Sequence, residues 1–418
     1  MSGVAVFHRD HGAYLTAVAA AWGAEAPVFL GNPHWAPDEM AEAMRLIPAG
    51  TTVVGMELTP TGPAPADWPL GWRCRTMIPT GGTGGRVKFA IHDPNTLAAA
   101  VRALRDGLVA RGLAPTLHGA TLTPPWHVSG LMPFVRAALT GGRHVTLDGR
   151  FAPSAKLPKV DLPTDGTRVA SLVPAQLMRL LARPDGEAWL RRFKVVLLGG
   201  SAVPPECLRA IRDRRLPVYL TYGMTETAAA CAVCPPERLW KNQPPRGTPL
   251  PGVRFGLDGD LLTIATPALA RGLWAGEDFP AEGLRTHDRA ELAADGTVRI
   301  LGRADRVINS GGIKLSLDLV EQWAKSQPGV SDAVSLPISN PQYGETFICW
   351  MVVFDPERHH LDGDKAVAEL GLPAKFAVWA TTEEIPLLGN GKPDYQSLAE
   401  SFAAYQEHLR EARARGEI

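Results

Sequence analysis

Short runs of apolar and β-branched residues alternate along the chain with segments whose apolar positions recur at helical spacing. Residues 169–173 and 194–198 are predicted strands, and each is followed by a segment of helical periodicity, 176–181 and 204–212. This alternation is typical of βαβ units, which build a parallel sheet. The same periodicities predict helices at 14–22, 37–46 and 94–113, and strands at 51–56, 218–222, 261–265 and 298–301.

The pattern towards the C-terminus predicts a smaller mixed α+β arrangement. Its elements are a loop at 310–314, a helix at 316–325, strands at 333–338 and 346–354, and a charged surface helix at 396–415. Ser316 is the predicted N-cap of the helix at 316–325, as Asp93 is of the helix at 94–113. We therefore expect an α/β fold: a large N-terminal domain with mixed, mostly parallel sheets, and a small α+β C-terminal domain.

Composition narrows the classes of partner and location. The 418 residues suffice for two or three domains, and 43 basic and 43 acidic side chains give a net charge of zero, which argues against a nucleic-acid partner. We expect no signal peptide and no membrane insertion, because no apolar run reaches spanning length. Five scattered cysteines predict reduced thiols and a cytoplasmic location. Cys231 and Cys234 lack further zinc ligands nearby and are interpreted as apolar positions.

A glycine-rich stretch follows the short apolar run that ends at Ile78. Residues without Cβ let the backbone turn several N–H groups towards one point, and Arg86 and Lys88 add positive charge. This composition suits a polyphosphate, although no Gly-Lys-Ser/Thr sequence closes it as in a Walker loop. A plain glycine-rich hairpin or linker is the alternative. The candidate phosphate-binding residues are Thr80, Gly81, Gly82, Thr83, Gly84, Gly85 and Lys88.

A second candidate site follows the predicted strand at 218–222. Tyr222 offers a flat face for adenine, and the Thr225 hydroxyl can donate to an α-phosphate. Glu226 supplies a hard carboxylate oxygen for Mg²⁺, which takes few protein ligands. Ligands of parallel sheets bind at the carboxyl ends of the strands, where the turn at 199–201 is also expected.

The order and spacing of these motifs resemble the adenylate-forming superfamily of acyl-CoA synthetases, adenylation domains and luciferases. The resemblance covers residues 75–392 and includes Thr286-His287-Asp288, Gly302-Arg303-Ala304-Asp305 and Gly389-Asn390-Gly391-Lys392. It implies that an acid reacts with ATP to give an acyl-adenylate and pyrophosphate, and that CoA then displaces AMP. It also implies Mg²⁺ as cofactor, a large domain of residues 1–304, and a small mobile domain of residues 305–418 that hinges at Asp305.

The resemblance assigns roles to single residues. The implied catalytic residues are Lys392, Thr225, Glu226 and Lys88, with Glu226 as the metal ligand. The implied ATP- and AMP-binding residues, besides the phosphate loop, are Ser201, Tyr222, Gly223, Met224, Thr225, Asp288 and Arg303. The implied acyl-binding residues are His127, Ser129, Gly199, Gly200 and Ser201. The implied CoA-binding residues are Gly311 and Gly312.

Three positions depart from the family pattern. His287 replaces a glycine, which puts the local turn in doubt, Leu388 replaces a threonine and Val87 a proline. They leave open a catalytically silent nucleotide-binding homologue, although Glu226 and Lys392 are retained.

Among subfamilies, the chain most resembles the o-succinylbenzoate–CoA ligases of menaquinone and phylloquinone synthesis. The short N-terminal region and the blocks at 78–82, 126–131 and 197–201 carry this resemblance. Another aryl- or acyl-CoA ligase, or an enzyme that loads a carrier protein, is the alternative, since the residues themselves indicate only a carboxylic acid. The implied partners are small molecules, namely the acid, ATP and CoA, and a homo-oligomer stays open.

Overall fold

The structure is a computed structural model of the chain and describes residues 2–81, 87–152, 155–280, 282–354, 361–387 and 393–414. The chain folds as two compact units. The first contains residues 1–286 and 291–299, and the second contains residues 287–290 and 300–418.

The first sheet of the first unit has five strands. They are β1 (Val4–Val6), β2 (Val28–Leu30), β3 (Thr52–Val54), β4 (Thr76–Gly81) and β5 (Val87–His92), in the order β3-β1-β2-β4-β5. All pairings are parallel except the last, because β4 and β5 form an antiparallel hairpin. The helices α1 (His11–Gly23), α2 (Pro37–Leu46) and α3 (Pro94–Val109) confirm the three predicted N-terminal helices. Asp93 is the N-cap of α3 and accepts from the N–H groups of Asn95 and Thr96.

The second sheet has seven strands and confirms the predicted βαβ alternation. The strands are β6 (Leu117–Thr121), β7 (His144–Thr146), β8 (Thr167–Leu172), β9 (Val195–Leu198), β10 (Val218–Met224), β11 (Ala229–Cys234) and β12 (Thr248–Pro249). Their order is β12-β11-β10-β9-β8-β6-β7, and the run from β10 to β7 is parallel. Its helices are α4 (Val128–Thr140), α5 (Pro174–Leu181), α6 (Gly186–Leu190), α7 (Pro205–Asp213) and α8 (Pro236–Trp240).

A third sheet has four strands in chain order. They are β13 (Arg254–Asp258), β14 (Leu261–Ala265), β15 (Leu284–Leu292) and β16 (Val298–Arg303). Residues 286–288 lie inside β15, so the chain has no turn at His287, in agreement with the doubt raised by the replacement of glycine. Extended backbone accepts any residue, and the departure from glycine therefore needs no compensation there.

The described part of the second unit has one sheet of its own and three α-helices. Its elements are β17 (Val307–Ser310), β18 (Ile313–Ser316), α9 (Leu317–Ser326), β19 (Val330–Asn340), β20 (Gly344–Val353), α10 (Gly363–Leu370), β21 (Val378–Thr382) and α11 (Tyr395–Ala414). The sheet runs β18-β17-β20-β19, and β21 pairs with β20. Its core packs Val320 and Trp323 of α9 against Phe347 of β20.

Two details of the second unit correct the sequence analysis. The predicted loop at 310–314 is the turn of the β17–β18 hairpin, because Gly311 and Gly312 take φ values of +58° and +88°. Ser316 precedes α9 but makes no capping bond. Its hydroxyl is buried without a hydrogen-bond partner among the described residues, because β18 runs directly into the helix and its last side chain is buried.

The mostly parallel sheets of the first unit and the smaller α+β second unit confirm the predicted fold class. The division at residues 304 and 305 and the mobility of the small domain stay predictions. Within the described ranges, no helix is long and apolar enough to cross a membrane.

Candidate functional site

The candidate residues of the first unit gather at one edge of the second sheet. The segment with His127 and Ser129 follows β6, the turn at Gly199 follows β9, and Tyr222 lies near the end of β10. Parallel strands place their carboxyl ends at the same edge, which is where ligands of such sheets bind. The sheet therefore brings the predicted acyl and adenine residues to one side.

The described phosphate-binding candidates Thr80, Gly81 and Lys88 lie on the antiparallel pair of β4 and β5, called the phosphate hairpin below. Thr80 pairs with Lys88 across the two strands, and the Lys88 side chain is exposed. The N–H of Val87 donates to Glu42 Oε2 over 2.7 Å, which fixes the start of β5 to α2. Gly82, Thr83, Gly84, Gly85 and Arg86 lie outside the described residues.

A 3₁₀ turn, Thr225–Thr227, connects β10 to β11 and carries the proposed metal ligand. The Thr227 hydroxyl holds the turn, since Met224 N–H donates to its oxygen over 3.0 Å and it lies 2.8 Å from the Ala229 oxygen. Gly223 is required beside the turn, because a Cβ there would lie 1.9 Å from that same oxygen. The backbone thus presents Thr225 and Glu226 in a defined, tightly packed position.

The donor set at this turn fits a magnesium ion. Glu226 is half-buried, and its carbonyl accepts from Ala270 N–H over 2.8 Å. The described part of the chain contains no group of three or more His, Cys, Asp or Glu side chains that could hold a metal. A single carboxylate suits Mg²⁺, which completes its shell with water and phosphate oxygens, and does not suit zinc.

The adenine candidate is the half-buried ring of Tyr222. Its ring packs edge-to-face against Phe255, with centroids 6.4 Å apart. At the neighbouring strand, a Cβ on Gly199 would lie 2.2 Å from Thr221 Oγ1, so only glycine fits. Gly200 has φ +91°, and Gly200 and Ser201 are exposed. These residues leave the strand end open to a ligand.

The acyl candidates His127 and Ser129 lie at the start of α4. The His127 carbonyl accepts from the N–H groups of Gly130 and Leu131 as the helix begins. A Cβ on Gly130 would lie 2.1 Å from the Pro124 oxygen, so the helix start packs directly on the segment after β6. Trp126 beneath it is buried, and its ring packs edge-on against His11 of α1 at 5.4 Å.

Arg136 of α4 is a buried charged residue that the sequence analysis did not single out. The residue is 4 % exposed, and its Nε and Nη1 atoms have no hydrogen-bond partner among the described residues. Burial lowers the pKa of the guanidinium to about 10, so it stays charged at neutral pH. Arg136 lies seven residues after Ser129, on the same helix face, and helical side chains lean towards the N-terminus. A buried, unpaired guanidinium in this place can bind a carboxylate.

Gln176 of α5 is a second missed residue. Its amide nitrogen donates to the carbonyls of Leu122 and Gly149, both over 3.0 Å, and its oxygen accepts from Val173 N–H over 3.1 Å. These three partners follow β6, β7 and β8, so one side chain joins three loops at the ligand edge. A polar residue in the first turn of a helix gives no sequence signal for such a role.

The predicted nucleotide residues of the second unit surround one guanidinium. Arg303 binds Asp305 through two nitrogens, one of them Nε at 2.8 Å from Oδ1. Its Nη1 also lies 3.6 Å from the buried carboxylate of Asp288. The Arg303 hydrogen bond and charge hold the pKa of Asp305 below its usual value.

The CoA candidates Gly311 and Gly312 are exposed at the tip of the β17–β18 hairpin. A Cβ on Gly311 would lie 3.0 Å from the ring of Tyr343, whereas one on Gly312 would meet nothing within 4 Å. The last catalytic candidate, Lys392, and its neighbours 388–391 lie outside the described residues.

Comparison with known proteins gives consistent results. A family model described as "AMP-binding enzyme" matches residues 48–261. The chain is 29 % identical over 344 residues to a probable 2-succinylbenzoate–CoA ligase of Mycobacterium tuberculosis, covering 78 % of this chain and 84 % of the relative.

Solved structures have the same fold. An E. coli MenE variant with bound OSB-AMS matches with a TM-score of 0.71 and 23 % identity, covering 96 % of this chain and 87 % of the other. MenE from Bacillus subtilis in complex with ATP and magnesium matches with a TM-score of 0.70 and 19 % identity, covering 94 % and 88 %.

Proposed function

Because the chain belongs to the AMP-binding enzyme family, we propose that it is an ATP-dependent, AMP-forming 2-succinylbenzoate–CoA ligase of menaquinone biosynthesis. A relative of that name, 29 % identical over most of both chains, supports the choice of substrate. Within this chain, the buried guanidinium of Arg136 is the observation that supports this choice of substrate.

Arg136 favours a dicarboxylic acid. A buried charge without a partner is costly, and a carboxylate can accept two parallel bonds from a guanidinium. 2-Succinylbenzoate has two carboxylates, of which one reacts with ATP while the other is available to Arg136. A monocarboxylic acid would leave the guanidinium unpaired. The site would therefore favour dicarboxylic over monocarboxylic acids, because only the former satisfy the buried charge.

The reaction has two displacements. In the first, a carboxylate oxygen of the acid attacks the α-phosphorus of ATP, and pyrophosphate leaves with the electrons of the broken P–O bond. In the second, the CoA sulfur attacks the acyl carbon and AMP leaves. The first step brings negative groups together, so catalysis is mainly positioning and charge stabilisation.

We assign the charge stabilisation to the phosphate hairpin and the 3₁₀ turn. Residues 81–85 would bind the β- and γ-phosphates together with Thr80 and Lys88, and Thr225 would donate to the α-phosphate. When bound, Mg²⁺ at Glu226 supplies positive charge to the phosphate oxygens. Tyr222 and Gly223 would contact adenine, while His127, Ser129 and Gly200 would line the acyl group.

The second unit is assigned the ribose and CoA. Asp288 would accept from the ribose hydroxyls, Arg303 would contact the nucleotide, and Gly311 and Gly312 would let the CoA chain approach the backbone. Lys392 would bridge the attacking carboxylate and the α-phosphate. Cytoplasmic location and the choice between monomer and homo-oligomer stay predictions.

The test is substrate preference. We expect 2-succinylbenzoate to support AMP release and CoA thioester formation better than benzoate, succinate or medium-chain fatty acids. Equal or better turnover of a plain fatty acid would refute 2-succinylbenzoate as the substrate, but it would still agree with an AMP-forming ligase reaction. If none of these acids supports ATP–pyrophosphate exchange, the result would favour the catalytically silent homologue.

A further inference from the structure

His92 joins the phosphate hairpin to the turn that carries Glu226. It is the last residue of β5, four residues after Lys88, and is fully buried. Its Nε2 lies 2.8 Å from the carbonyl oxygen of Thr225, and its Nδ1 lies 3.0 Å from the hydroxyl of Thr96. The mechanism above does not use this side chain.

The two partners fix the tautomer of His92. A carbonyl oxygen only accepts, so Nε2 must carry the proton that is donated to Thr225. Burial lowers the pKa of His92 to about 4, so the ring is neutral near pH 7 and Nδ1 has no proton. Nδ1 is therefore the acceptor facing the Thr96 hydroxyl, whose proton it shares with the Asp93 carbonyl oxygen, also 3.0 Å from that hydroxyl.

Two consecutive carbonyl groups of the turn accept hydrogen bonds from other segments of the chain. His92 binds the carbonyl of Thr225, and Ala270 N–H donates to that of Glu226 over 2.8 Å. The Ala270 segment is itself tied to β5, because Arg271 N–H donates to the Ile91 carbonyl over 2.8 Å. Both hydrogen bonds therefore connect the turn to β5, the strand that carries Lys88.

The turn cannot hold its own position through a continuing helix. It has three residues and ends at Ala228, whose φ is +50° in the left-handed region. The Thr227 hydroxyl and the Ala228 N–H bond the turn internally, and the external bonds from His92 and Ala270 fix its orientation relative to β5.

We propose that His92 is a positioning residue for magnesium-nucleotide binding, and that its Nε2–H bond to Thr225 sets the Thr225 hydroxyl and the Glu226 carboxylate relative to the phosphate hairpin. The inference rests on the proposed function of these two residues. It extends that function by a residue that touches neither the nucleotide nor the metal.

Two isosteric substitutions separate positioning from plain stability. His92→Gln can place its amide N–H near the position of Nε2 and keep the bond to Thr225. His92→Asn reaches only the position of Nδ1 and loses that bond. We expect His92→Asn to weaken binding of MgATP, measured by calorimetry, and to raise the half-saturating Mg²⁺ concentration in ATP–pyrophosphate exchange, each by about tenfold. His92→Gln should stay within about threefold of wild type.

His144 offers a matched control. It is a half-buried histidine whose pKa is also lowered to about 4 by desolvation, and its Nε2 lies 2.8 Å from the Thr121 hydroxyl on the second sheet. His144→Asn should lower the thermal midpoint without changing MgATP affinity or the half-saturating Mg²⁺ concentration. Equal MgATP affinities of His92→Asn and His92→Gln, or an equal loss of affinity in His144→Asn, would overturn the proposal.

The tautomer of His92 and its response to MgATP can be measured on the wild-type chain, so this test does not depend on the folding of a variant. With ¹⁵N-labelled histidine, the His92 signal should show a proton on Nε2 and none on Nδ1, and it should shift when MgATP is added. A proton on Nδ1, or an unshifted signal at saturating MgATP, would contradict the inference. If wild type binds MgATP but activates no acid, the proposed function fails, and the binding and NMR experiments still decide the role of His92.

Discussion

Arg303 binds Asp305 with two nitrogens while its third lies 3.6 Å from Asp288. Asp305, the expected hinge residue, therefore competes with the expected ribose ligand for one guanidinium. Half-exposed pairs of this kind contribute only about 0.5 kcal/mol to stability, so their effect is expected mainly in ligand binding.

Asp305→Asn should raise the KM for ATP severalfold with little change in the rate of adenylation at saturation. Once Asp305 loses its charge, Arg303 should move onto Asp288 and compete with the ribose hydroxyls for its carboxylate. Asp258→Asn is the control, because its pair with Arg285 is exposed and outside the site. A KM that stays unchanged or falls in Asp305→Asn would rule out this competition.

Glu226→Gln should leave the fold intact and slow adenylate formation by about 10²-fold or more, if the ion supplies several kcal/mol. The amide keeps the volume of the side chain but provides a weaker ligand for a hard cation. The measurement is ATP–pyrophosphate exchange over a range of Mg²⁺ concentrations. Unchanged adenylation would remove Glu226 from the metal site.

Lys392→Ala and Gly311→Leu should impair opposite half-reactions. A lysine that bridges carboxylate and α-phosphate is needed only while charge builds up in adenylation, so Lys392→Ala should still convert presynthesised acyl-adenylate to thioester. Gly311→Leu should keep ATP–pyrophosphate exchange and lose thioester formation.

Exchange activity is also the folding control for Gly311→Leu. A side chain there is strained by the φ of +58° and crowded by Tyr343, which costs stability by itself. Parallel losses of both half-reactions in both variants would show that the two residues act only through stability.

The stability of wild type should fall as the pH decreases from about 6.5 to 4. The pKa of His92 is about 4 in the folded chain and 6.5 in the unfolded chain, so between these pH values only the unfolded chain binds a proton. The free energy of unfolding should therefore fall by about 3 kcal/mol across this range. Nearby Asp93 raises this pKa and Arg271 lowers it, but burial has the larger effect.

Denaturant unfolding at pH 7.5, 6 and 5 checks this dependence. The difference in unfolding free energy between wild type and His92→Gln should shrink as the pH falls, because the glutamine does not titrate. A difference that is constant across the three pH values would mean that His92 has the same pKa in the folded and the unfolded chain, and a difference that grows as the pH falls would mean that folding raises this pKa.

The parts of the fold that depend on local periodicity were predictable. The strands β8 and β9 and the helices after them follow from β-branched runs and helical spacing, and Asp93 from its capping position. Helix α4 was missed, because Gly130 and Pro133 interrupt its pattern, although packing against β6 and β8 stabilises it.

The sequence predicts candidate site residues where they belong to a motif and does not single out residues whose proposed role depends on tertiary burial. Nothing local distinguishes Arg136 from the other arginines of the chain until the fold buries its Nε and Nη1 without a partner among the described residues. Likewise, Gln176 and His92 act through backbone groups far away in sequence, Leu122 and Thr225, which no spacing rule connects.

We expect Arg136 to bind the second carboxylate of 2-succinylbenzoate, the one that does not react with ATP. The test compares kcat/KM for thioester formation by wild type and Arg136→Met, using 2-succinylbenzoate and the two analogues that each keep only one carboxylate, 3-benzoylpropionate and 2-butanoylbenzoate. The variant should lose about 10²-fold or more for 2-succinylbenzoate. It should change little for the analogue that keeps only the reacting carboxylate, and its stability should equal or exceed that of wild type. An equal loss for 2-succinylbenzoate and that analogue, or no loss for either, would show that Arg136 does not bind the second carboxylate.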